Sequence, residues 1–182
     1  MARIADINWL YVKYYGDNVI LRNIVMHHSE MVAKKALEIC KRKNLSLNPR
    51  DVYCAAMLHD IGVIKCYAPD IHANGHLPYL LHGLEGKIIL DREGLEKFSN
   101  VCLTHTGAGI TKKNIKDKNL PLPEIDMVPK TLLEKLICYA DKFFSKSREI
   151  EKEKNLEEIM AQMKKYGEDS YIRFMKLHSM FS

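Results

Sequence analysis

Apolar residues in this chain recur every three or four positions, and no stretch alternates with period two over a useful length. That period is one face of an α-helix, so the chain reads as nearly all helix. The spacing predicts a helix from Ile4 to about Tyr15, stopped by Gly16-Asp17-Asn18, and a second from about Val19 to Arg42. Asn44 to Asn48 is a loop. A third helix has Asn48 as cap, Pro49 at its first position and Asp51 in its first turn, and is expected to run to Gly62 as its stop. Residues 65–79 contain two prolines and a glycine and read as an irregular connection. Further helices are expected over Tyr79–Asp91, Leu95–His105, about Pro129–Ser147, and from Asn155 to the C-terminus with a break at Gly167. Gly107-Ala108-Gly109 ends the fifth, and 110–129, basic and then proline-rich, reads as a long lid-like loop. The expected fold class is all-α, a bundle of about six to eight helices. It forms a single domain over 1–182, its core at about 20–148 with the terminal helices packed on it.

Composition narrows the setting. A chain of 182 residues with 47% apolar and 28% charged residues is ordinary for a soluble globular protein. No apolar run approaches the ~20 residues needed to span a bilayer, and no signal peptide is read. The five cysteines are widely spaced without a CxxC pair, which fits buried reduced thiols and a cytoplasmic location. A net charge of +5 without an aromatic-basic stripe disfavours a nucleic-acid binder.

Six polar residues stand where apolar ones belong. His28 shares a helix face with Ile24, Val32 and Ala36; His59 and Asp60 follow Ala55-Ala56-Met57 in AAMLHDIG. His82 lies one turn before Glu85, His105 stacks over Val101, Cys102 and Phe98, and Asp141 sits inside LICYADKFF. A lone inward histidine is more often a hydrogen-bonded core residue than a ligand, and a lone aspartate usually has an arginine. Arginine is scarce inside these helices. Burying an unpaired carboxylate is costly. One metal centre satisfies all six residues, and imidazole with carboxylate suits divalent first-row metals better than a structural zinc site.

The order His28 in MHHSEMVA, His59-Asp60 in MLHDIG and Asp141 in ICYADKF resembles the HD superfamily of metal-dependent phosphohydrolases, over about Ile20 to Arg148. The resemblance implies a helical bundle whose metal ligands are His28, His59, Asp60 and Asp141. His82 in LHGLEG and His105 in THTGAG fall where two-metal members carry two further histidines. The pattern is similar to the cyclic-dinucleotide phosphodiesterases, without their GYP motif. It is closer to the symmetrical diadenosine tetraphosphate hydrolases, although Lys142 to Arg148 replaces their proline-asparagine-arginine ending.

The implied reaction is hydrolysis of a phosphoester or phosphoanhydride of a small nucleotide by a metal-bridged water. Two divalent ions are expected, drawn from Fe, Mn, Mg, Co or Ni. Asp60 would be the shared carboxylate and would orient the nucleophile. Lys65, Thr106, Lys142 and Arg148 are the candidate substrate contacts. Lys112, Lys113, Lys116 and Lys118 form a basic patch on the loop. The competing readings are a one-metal 5'-nucleotidase-like hydrolase and a non-catalytic nucleotide-binding sensor. No membrane partner is expected, and leucines and methionines on the terminal helices leave a homodimer open.

Overall fold

The computed structural model describes residues 4–146 and 152–182, so the candidate Arg148 lies outside the described residues. The helices are α1 (Ile4–Tyr15), α2 (Val19–Arg42), α3 (Pro49–Leu58), α4 (His82–Arg92), α5 (Glu96–Thr104), α6 (Lys112–Asp117), α7 (Leu132–Asp141), α8 (Leu156–Tyr166) and α9 (Glu168–Phe181). This is one more, among the described residues, than the upper figure expected. The addition is α6, inside the segment expected to be loop.

Local chemistry explains most boundaries. The Asn18 side chain accepts the Leu21 amide at the start of α2, and Asn48 accepts the Arg50 amide ahead of Pro49. Asn155 and Glu158 form a reciprocal capping box on α8. Gly167, at φ +119°, breaks α8 from α9 as its position suggested. α7 is shorter than expected. Thr131 caps it, and it ends at Asp141, although the apolar pattern continues into the buried turn residues Phe143 and Phe144.

Three other expectations change. α3 stops at Leu58, and a 3-10 turn follows over Ile61–Lys65. Gly62 is therefore not a helix stop, and its φ is not positive. A Cβ there would lie 2.1 Å from the His82 carbonyl oxygen and 2.3 Å from the Gly86 nitrogen, so glycine serves a close approach of backbone to α4. The connection before α4 holds a small sheet, β1 (Cys66–Ala68), β2 (Ala73–Asn74) and β3 (Leu77–Pro78), in the order β2-β1-β3. Tyr67 faces Asn74 in the antiparallel pair, and Cys66 faces Leu77 in the parallel one. These strands are too short to show alternation. Finally, 110–129 is tied down. Thr111 and Asn114 cap α6 reciprocally, Ile110 bridges to Met127, and Ile115 and Met127 are buried.

The core is built on α2, α3 and α7. α2 buries Leu21, Val25, Val32, Ala36 and Ile39 along one stripe, against Ala55, Ala56 and Leu58 of α3 and Leu136, Ile137 and Ala140 of α7. Each fully buried Leu or Ile contributes about 1.5–3 kcal/mol over leaving it exposed. α4 packs between the 3-10 turn and α5, while α9 closes over α7 with Phe174 and Phe181. Among the described residues, no helix is long and apolar enough to cross a membrane. No disulfide joins the five cysteines, and Cys54, Cys66, Cys102 and Cys138 are buried.

Candidate metal centre

All six inward-facing residues converge. His28 stands in the middle of α2. His59 and Asp60 follow the end of α3, His82 opens α4, His105 follows α5, and Asp141 closes α7. Each is buried. Helix ends can aim side chains at a common point without helices crossing through it, which explains why five of the six lie there.

The residues form two groups that share Asp60. In the first, His28 Nε2 lies 2.9 Å from Asp141 Oδ1 and 3.3 Å from Asp60 Oδ2. His59 Nε2 lies 2.9 Å from Asp60 Oδ2 and 3.4 Å from Asp141 Oδ1. In the second, the Nε2 atoms of His82 and His105 are each 3.5 Å from Asp60 Oδ1 and 3.0 Å from one another. Asp60 thus turns one oxygen to each group. Among the described residues, His59 Nε2 and Asp60 Oδ1 come close to their neighbours yet meet no partner in hydrogen-bond geometry.

Protonation decides what can fill this space. His59 Nδ1 donates to the Ala56 carbonyl at 2.6 Å, His82 Nδ1 to Tyr79 at 2.7 Å, and His105 Nδ1 to Cys102 at 2.8 Å. Burial pushes His82 down to about 3 and also lowers His105, so both rings are neutral near pH 7. With Nδ1 protonated, each Nε2 carries only a lone pair. Two lone pairs therefore face each other at 3.0 Å, beside a carboxylate oxygen. That arrangement is repulsive unless a cation lies between them. It is also how metal-binding histidines are held, with the outer nitrogen fixed by a carbonyl. The donor set fits a divalent metal.

The carboxylates, by contrast, do have cationic partners, against the sequence expectation. Lys146 Nζ is 2.5 Å from Asp60 Oδ2, and Lys142 Nζ is 2.7 Å from Asp141 Oδ2. Burial raises both aspartates. His59 and Lys146 beside Asp60, and Lys142 beside Asp141, outweigh it and hold both well below the usual carboxylate range. Burial would lower His59, but Asp60 and Asp141 bring it up to about 9. The lysines can neutralise carboxylates but do nothing for the His82–His105 pair, so the pair carries the case for metal.

The substrate candidates divide. Lys142 is buried at the site and also donates to the His105 carbonyl at 2.9 Å. Thr106 lines a cavity of about 480 Å³ that includes His82 in its wall. Lys65 is exposed at the end of the 3-10 turn and lines neither the metal groups nor that cavity. Lys146 was missed by sequence reasoning. It lies past the end of α7, within a span the spacing predicts as helix, and weighing only arginine as a partner for the aspartates passes over it.

The profile of the HD domain matches residues 25–145, the segment that carries all six residues. The chain belongs to the HD-domain family. Among curated relatives, this HD protein is 30% identical to a tRNA (cytidine(56)-2'-O)-methyltransferase of Picrophilus torridus, over 94% of this chain and 48% of that one. It is 29% identical to the protein of the same name from Thermoplasma volcanium, over 87% of this chain and 42% of the other. The chain thus spans about half the length of these two relatives. It is also 31% identical to an uncharacterized protein of Methanocaldococcus jannaschii, over 72% of this chain and 75% of that one. No solved structure matches significantly.

Proposed function

We propose that this HD domain is a two-metal phosphohydrolase acting on a small phosphorylated nucleotide. The observation that carries the reading is the His82–His105 pair, whose opposed lone pairs lie 3.0 Å apart beside the oxygen of an aspartate shared with His28, His59 and Asp141. Divalent ions held there would supply a water of lowered pKa and polarise phosphoryl oxygens. Asp60 would join the two groups and orient the water. Lys142 and Lys146 would leave the carboxylates and take up charge on the phosphoryl oxygens as it develops. Thr106 would donate to the substrate from the cavity wall.

Metal content and turnover test this together. Protein purified without chelator and under exclusion of oxygen is expected to hold two equivalents, falling to about one in a His82→Ala/His105→Ala variant that no longer hydrolyses nucleotides. One equivalent unchanged by the variant would favour the one-metal nucleotidase. No metal in either sample, even after adding iron or manganese, would overturn the proposal.

A second reading puts the nucleotide at the end of an RNA. It is favoured by the tRNA methyltransferase name of two relatives and by Lys112, Lys113, Lys116 and Lys118 on and beside α6. Hydrolysis of a phosphate on tRNA, with affinity falling steeply as salt rises, would support it over a free nucleotide.

A further inference from the structure

The cavity beside His82 is walled by two different parts of the chain. One wall, with Tyr79, Thr106, Gly107, Gly109 and Ile110, comes from the HD match; the other, with Lys165, Tyr166, Ser170 and Arg173, comes from α8 and α9 beyond residue 145. Tyr79 packs against the His82 ring at 4.7 Å between centroids, so this end borders the second metal group. Tyr166 is half exposed at the opposite wall. Its ring reaches across the bare Gly107, where even an added Cβ would be only 3.7 Å away.

The far wall is fixed. The Arg173 guanidinium donates to the carbonyls of Ala108 at 3.1 Å and Gly109 at 2.9 Å, and also to Asn114 and Asp169. The Lys118 ammonium is held by the Tyr166 carbonyl. Much of the polar capacity of the lining is thereby used within the protein. What faces the space is largely carbon, from Leu80, Ile110, Leu120 and the two tyrosine rings.

We infer that this chamber is a nucleobase subsite, in which Tyr166 stacks on the base of a single nucleotide whose phosphate lies at the His82–His105 pair. The inference rests on the phosphohydrolase reading and assigns its substrate class, a mononucleotide. A flat aromatic base needs stacking faces and few hydrogen bonds, and this wall offers that combination. A sugar phosphate would bring several hydroxyls to groups already engaged. A cavity of about 480 Å³ is near the lower end of the ~300–1,000 Å³ usual for one small ligand, which disfavours a dinucleoside polyphosphate with its second base. Substrate choice would thus lie with α8 and α9, outside the segment that carries the metal ligands.

Calorimetry with the metal-containing protein tests this, using nucleoside 5'-methylenephosphonates, whose P–C bond resists hydrolysis, against methylphosphonate. Wild type and Tyr166→Phe are expected to bind the nucleoside compound at least tenfold tighter than methylphosphonate. Tyr166→Ala is expected to lose roughly tenfold of that affinity, and its kcat/KM ratio for a nucleoside monophosphate over ethyl phosphate should fall in step. Equal binding of the two phosphonates by wild type, with ethyl phosphate still hydrolysed, would overturn the base subsite and leave the hydrolase standing. Absence of both binding and hydrolysis would overturn the hydrolase reading itself.

Discussion

Replacing Gly62 by alanine puts a methyl group where α4 already is. Its Cβ would stand 2.1 Å from the His82 carbonyl oxygen, 2.3 Å from the Gly86 nitrogen and 2.9 Å from the Glu85 carbonyl carbon. All three are backbone atoms, and ordinary contact begins near 3.4 Å, so α4 must retreat by about 1.3 Å. It has nowhere to go, because a Cβ at Gly83 would already be 2.5 Å from the Cys102 carbonyl oxygen of α5. Overpacking that side chains can absorb costs about 1–3 kcal/mol, and a clash confined to backbone belongs at or above the top of that range. For a domain of this size, ~3 kcal/mol lowers Tm by roughly 6–12 °C. His82 opens α4, so the retreat also draws its Nε2 off Asp60, and metal sites tolerate only about ±0.2 Å. The assay is thermal denaturation in chelator with metal content measured separately. Gly62→Ala should melt well below wild type and lose metal from the His82–His105 group. Gly94→Ala is the control. Gly94 has φ +69° with nothing near its Cβ position, so it should cost only about 1 kcal/mol of backbone strain and leave metal content alone. Gly62→Ala melting within about 1 °C of wild type with full metal content would refute the reasoning.

Other outcomes follow from contacts already described. Asp60→Asn leaves the Lys146 ammonium buried without its carboxylate, so chelated protein should lose about 3–5 kcal/mol in urea denaturation, besides losing metal. Arg173→Ala frees the carbonyls of Ala108 and Gly109 from a charged donor. A loss of about 1.5–3 kcal/mol is expected, and faster hydrogen exchange in residues 106–110 would check it. Glu93 is lowered below its ordinary value by hydrogen bonds from Lys13 and Tyr14. Its contribution is therefore present above the usual glutamate value near 4.5 and is lost as pH falls through the lower folded value. Wild type and Glu93→Gln should differ by about 0.2–1 kcal/mol at pH 7 and converge in acid, as read from urea midpoints across pH.

Much of the site was legible because a helix face is periodic. His28 among Ile24, Val32 and Ala36 could be placed inward from spacing alone, and His105 and Asp141 likewise. What escaped lay where helices end. Lys142 and Lys146 fall inside the span expected to be helix, and Lys142 was legible as a substrate contact, but a search for arginine alone missed both lysines as partners of the aspartates. Gly62 looked like a stop because glycine often is one, whereas its purpose depends on α4, which only tertiary packing brings near. The three short strands were invisible for want of length. α6 was hidden by the lysines and prolines around it, although Thr111 and Asn114 carried its cap. Lys65 was chosen for its place after the HD pair, but the 3-10 turn leads it out to solvent.

One feature of the histidines bears on how the site comes into being. His59, His82 and His105 each give their Nδ1 proton to a carbonyl three residues earlier in their own segment. Such bonds form along with the local turn and do not wait for distant parts of the chain. A folding chain that has made its helices, but has not yet docked them, can already carry imidazoles in the right tautomer. Docking then has only to bring prepared parts together, and an ion arriving early can serve as the template that selects the correct arrangement.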